Sequence, residues 1–142
     1  MKPAIFLRIA AVLTLIHAIL HTVGGVFGKV PPGPAAVAVA AMKSNQFEAL
    51  GHMRTLWEFY RGMGLTVSIF LTVEAVAFWV LGSVASSVGA KLRPVLVVFA
   101  VGYLALAVNS YLYFFAAPVI VEILIAACLV MAMAAAREPK TA

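Results

Sequence analysis

The sequence predicts an all-α fold, a transmembrane four-helix bundle running up-down-up-down. An apolar composition, four separate apolar stretches of spanning length and proline- or glycine-marked connections between them lead to that class. Of the 142 residues, 65% are hydrophobic and 11% charged, where a soluble domain carries about 25% charge. Mean hydropathy is +1.10, which places the chain in lipid. Its length leaves room for a single four-span domain, residues 1–142.

A helix needs about 20 mostly apolar residues to cross a hydrocarbon core of about 30 Å. Residues 5–27, 57–82, 95–115 and 118–136 meet that requirement. The first stretch follows Lys2 and contains Arg8, as a signal peptide could, but it is longer than a usual signal core and holds His17 and His21. It is read as a retained helix. Gly28-Lys29-Val30-Pro31-Pro32-Gly33-Pro34 ends it, because proline cannot continue the hydrogen-bond ladder. Residues 28–56 then form a loop on the outer side, with Ala35 to Met42 expected as a short helix on the membrane surface. Ser83 to Pro94 is expected as a small loop. Ala116-Ala117-Pro118 joins the last two spans so tightly that they must be antiparallel neighbours, with Pro118 suited to a first helical turn.

Positive residues set the orientation. Lys2, Arg8, Lys91, Arg93, Arg137 and Lys140 fall on one side, and Lys29, Lys43, Arg54 and Arg61 on the other. The excess places both termini in the cytoplasm and the protein in the plasma (bacterial inner) membrane. Aromatic residues fit an outer interfacial belt: Trp57, Phe59 and Tyr60 open the second span, and Tyr111, Tyr113, Phe114 and Phe115 close the third. The net charge of +5 is scattered over segment ends instead of gathered into a patch, so nucleic acid is not an expected partner and membrane lipid is. The single cysteine, Cys128, lies in the last span and is read as a small packing residue.

Polar groups inside spans are costly and should face the bundle. On the first span Thr14, His17, His21, Gly24 and Gly28 follow helical spacing. Arg54, Glu58, Arg61, Ser68 and Thr72 form a stripe on the second, where Glu58 and Arg61 are spaced to pair. Gly102, Ala105, Asn109 and Tyr113 share a face of the third span, and Glu122, Ala126 and Met133 a face of the fourth. Counting about 1.5 Å per residue brings His21, Asn109 and Glu122 to one depth near the outer boundary, with His17 deeper and Glu58 and Arg61 at the mouth. The expected ligand-binding set is therefore His17, His21, Glu58, Arg61, Asn109 and Glu122. Glu74 lies around the second helix from Glu58 and has no partner visible in the sequence.

Three functions fit this pattern. One is an outward-facing pocket for a small polar-headed or lipid-like ligand, in a non-enzymatic or accessory role. Another is a metal- or haem-binding redox or enzyme subunit, because His17 and His21 one turn apart can both reach a metal, with Glu58 or Glu122 as oxygen ligands. One haem could not take both histidines, and His52 would have to fold inward to supply the second axial ligand. A third is a structural or assembly subunit of a homo-oligomer or larger membrane complex, touching partners through Gly24, Gly28 and Glu74. The plainer reading of the histidines is that they hydrogen-bond to Glu122, Asn109 or Tyr113 and tie helices together. Interfacial charges such as Arg54 and Arg61 also serve simply to fix helix depth. Nothing pairs a nucleophile with a base, and Gly62-Met63-Gly64 reads as helix packing rather than a nucleotide loop.

His21-Thr22-Val23-Gly24-Gly25 and Leu56-Trp57-Glu58-Phe59-Tyr60-Arg61-Gly62-Met63-Gly64 resemble segments of a group of small, uncharacterised bacterial four-helix membrane proteins. The layout is also similar to DoxX-like bundles, although no motif in this chain carries that likeness. The resemblance implies architecture and assigns no activity, cofactor or functional residue.

Overall fold

The structure, a computed structural model, describes residues 2–136. Helix α1 (Pro3–Leu20) runs into a π-helical turn (His21–Val26) and is followed by α2 (Pro34–Ser44). A hairpin of β1 (Gln46–Ala49) and β2 (His52–Thr55) leads into α3 (Leu56–Val88); a 3₁₀ turn (Gly89–Leu92) then precedes α4 (Arg93–Tyr113) and α5 (Ala116–Ala135). The described residues are all-α but for the hairpin. Three helical stretches, Pro3–Val26, Leu56–Tyr113 and Ala116–Ala135, are long and apolar enough to cross a membrane. The short helix expected over Ala35 to Met42 is present as α2, started by Pro34 in its first turn.

Two expectations about elements are corrected. Residues 83–88 continue α3 instead of forming a loop, and their serines satisfy their hydroxyls on the helix's own carbonyls: Ser83 donates to the Trp79 carbonyl at 3.2 Å and Ser87 to that of Val84 at 2.8 Å. The helical run is interrupted only at Gly89, whose φ of +60° is left-handed. Arg54 lies in β2 and not on the helix stripe, since α3 begins at Leu56.

The chain divides into two compact units, one formed by the amino-terminal residues up to His17 with Leu71 onward, the other by Ala18–Phe70. In the first, printed on the sequence as widely separated apolar positions, Leu7, Ala10, Phe78, Leu96, Tyr103, Ile125, Leu129 and Ala132 make one buried core. Phe78 sits edge-on to Phe99, with ring centroids 5.0 Å apart, while Glu74 meets Tyr103. This pairing runs α4 back along α3. Ser110 with Glu122, and the Arg93 guanidinium with the Ala136 carbonyl at 2.8 Å, run α5 back along α4. Near Gly82 of α3 lie Ala4, Leu7 and Arg8 of α1, and Arg8 rests over the Trp79 ring at 5.5 Å. Consecutive long segments in this unit are thus antiparallel. Cys128 is buried in the core, as a packing residue should be.

In the second unit β1 and β2 pair antiparallel, Gln46 opposite Thr55 and Ala49 opposite His52. Leu50 and Gly51 form the two-residue turn, both at positive φ. Thr55 caps α3: its hydroxyl accepts the Glu58 amide at 3.2 Å, and the Glu58 carboxylate accepts the Thr55 amide at 2.7 Å. This reciprocal box satisfies two amide donors that a helix start leaves open.

Candidate functional site

The first unit carries a polar core between apolar layers. Thr14 and Tyr103 are almost fully buried, and Glu74 is half-buried. The Tyr103 hydroxyl donates to Glu74 Oε2 at 2.7 Å, so the Thr14 hydroxyl, 3.3 Å from the same oxygen, is the donor in the other contact. Three helices are joined by one phenol. Glu74, which has no partner visible in the sequence, therefore has one on a neighbouring helix of its own chain.

Seven residues beyond Tyr103, two turns along the same face of α4, Ser110 donates to Glu122 Oε1 at 3.0 Å. Glu122 is 4% exposed, and its second oxygen, Oε2, has no hydrogen-bond partner among the described residues. A buried acceptor left open is rare and costs free energy unless something fills it. His17, half-buried on α1, lies three residues from Thr14.

Asn109 is not on the buried face of α4. The buried face of α4 is Leu96, Ala100, Tyr103, Ala107 and Ser110, whereas Gly102, Ala105, Asn109 and Tyr113 are exposed. A helix turns 100° per residue, so inserting Ser110 between α4 and α5 turns its neighbour Asn109 outward. Ser110, overlooked in the sequence, is the residue that meets Glu122.

The second unit holds His21, Glu58 and Arg61. The π-helical turn opens where the Thr22 hydroxyl reaches back to the Ala18 carbonyl at 2.6 Å, and the Phe27 amide bonds to the Thr22 carbonyl five residues earlier at 3.0 Å. The steady α-helical stripe expected through His21 and Gly24 ends there, and Gly24 faces open space. His21 Nε2 lies 3.1 Å from the Gly64 carbonyl. Since a carbonyl only accepts, Nε2 carries the proton. Thr22 also meets Ser68, 2.8 Å between hydroxyl oxygens. A Cβ on Gly64 would stand 2.8 Å from Val26, so glycine permits this close approach. The chain around His21 to Val26 and the start of α3 thus dock on each other at Gly64.

Glu58 spends its carboxylate on the Thr55 cap, while Arg61 lies over the Phe27 ring at 4.8 Å, which replaces the expected Glu58–Arg61 pair. His52 is exposed on β2. Among the described residues, no group of three or more His, Cys, Asp and Glu side chains could hold a metal ion. In comparisons with known proteins, the chain matches no family model, no curated protein and no solved structure.

Proposed function

We propose that this is a small multi-pass membrane protein that crosses the bilayer four times and binds a small ligand with a hydrogen-bond-donating head at Glu122. Both termini lie in the cytoplasm, and residues 28–55 lie on the opposite side. The run Leu56–Tyr113 supplies two crossings, because 58 residues of helix would extend about 87 Å if straight, nearly three times the hydrocarbon thickness. The observation that carries the binding role is the buried Oε2 of Glu122, without a hydrogen-bond partner among the described residues, beside an oxygen already held by Ser110. Glu122 is the seventh residue of α5, about 9 Å from the turn at Phe114 and Phe115. A polar head entering from the outer side need go no deeper than that, while an apolar tail remains among the helices or in lipid. His17 is the further candidate contact in the same unit. His21, Glu58 and Arg61 already have local structural partners and are not assigned to the ligand.

Native mass spectrometry of protein released from mild detergent tests this reading. The wild type is expected to retain a small molecule near one equivalent, and Glu122→Gln to lose it with helix content unchanged. A wild type with nothing bound, or a bound molecule indifferent to Glu122→Gln, would overturn it.

A further inference from the structure

The tip of the hairpin is built in a way that its own fold does not explain. Leu50 has a φ of +50° and Gly51 of +82°, the pattern of a type I′ turn, which favours Asn, Asp or Gly at both central positions. A bulky side chain there is a backbone outlier. Leu50 is also wholly exposed, at 101% of its reference area, so its side chain gives nothing back to the hairpin. Two isolated strands are marginal in water at best, and Met53 and Val37 of the same unit are exposed as well.

The surroundings point to one occupant. Thr55, the last residue of β2, caps α3 directly, which holds the hairpin beside the start of a helix apolar enough to cross a membrane. At that start Trp57 stacks with Tyr60, centroids 5.5 Å apart; the Lys43 ammonium lies 4.8 Å over Trp57 and the Arg61 guanidinium 4.8 Å over Phe27. Aromatic rings with cations on them are suited to the headgroup level of a bilayer. Residues 28–61 hold four cations, Lys29, Lys43, Arg54 and Arg61, against two carboxylates, Glu48 and Glu58, and Glu58 is committed to its cap. The surface is complementary to anionic lipid.

We propose that the β1–β2 hairpin is a membrane-interface anchor, with Leu50 seated in the upper acyl region of the leaflet where α3 begins and Lys43 and Arg61 meeting anionic headgroups above it. The anchor rests on the membrane reading of the helices but not on ligand binding at Glu122.

Spin-label accessibility on the full chain tests it. In a Cys128→Ala background, nitroxides are placed by Leu50→Cys and, as a lipid reference, by Ile123→Cys on the exposed side of α5, in nanodiscs of phosphatidylcholine with phosphatidylglycerol. The expected result is that label 50, like label 123, is relaxed by oxygen and shielded from a water-soluble nickel chelate. Leu50→Asn, which suits the left-handed backbone, should then expose a label at Met53→Cys to nickel. If label 50 is open to nickel while label 123 is shielded, the anchor is wrong and the membrane reading stands. If both are open, the membrane reading fails and takes the anchor with it. A label 50 shielded from both reagents would mean that protein covers the tip, and would also overturn the anchor.

Discussion

Tyr103 places a single hydroxyl between Thr14 and Glu74, so Tyr103→Phe leaves a half-buried carboxylate without its donor. The loss should be about 0.5–2 kcal/mol, between the small values of hydrogen bonds within membranes and the cost of a stranded buried acceptor. Reversible unfolding of the detergent-solubilised protein in SDS measures it. Asn109→Ala, on the exposed side of α4, should change stability by less than about 0.5 kcal/mol in the same assay. The contrast between these positions marks how far the sequence could be read. Glu122 was legible as an inward group because a charge in an apolar span must face protein. Asn109 was assigned inward by the same rule, but an amide is less costly to expose, and α4 is so apolar on every side that its periodicity does not fix its rotation. The 3-4-3 spacing of Ala100, Tyr103, Ala107 and Ser110, small and hydroxyl-bearing residues in one line, was the available signal.

At the scale of the element, Gly64 tests the docking of the π-helical turn. Gly64→Ala puts a methyl group against Val26, a β-branched side chain with little freedom to move aside. Overpacking of this kind should destabilise by about 1–3 kcal/mol. Gly62→Ala, with open space at its Cβ, is the control in the same unfolding measurement and should be neutral or slightly stabilising. Thr55→Ala removes the cap of α3 and should cost about 1 kcal/mol, read as an earlier transition of the same protein. The long helices and α2 were legible because length, apolarity and proline punctuation all agree. The π-helical turn was not, since it depends on a Thr22 back-bond that helical periodicity does not register. Nor was the hairpin, whose strands are only four residues each and whose Leu50-Gly51 turn has an unfavoured residue in first place. Ser83 to Val88 reads as a loop by composition, yet it continues α3, with Ser83 and Ser87 bonded back onto carbonyls of their own helix.

At the scale of the whole molecule, helical backbone runs from Leu56 to Tyr113, but Phe78 against Phe99 and Glu74 against Tyr103 fold it back on itself at Gly89. Four crossings follow if each arm traverses the bilayer. Charge agrees with that arrangement, with Lys91 and Arg93 at the turn on the same side as Lys2 and Arg8. Cysteine labelling in intact cells decides it, with a Cys128→Ala background, single cysteines at Leu50, Ser86 and Phe114, and a maleimide that does not cross membranes. Four crossings predict that a cysteine at 114 is labelled from outside, that one at 50 is labelled at least when the membrane is loosened, and that one at 86 is labelled only after lysis. Labelling at 86 and 114 from the same side of the intact membrane would contradict the account, because α4 would then not cross.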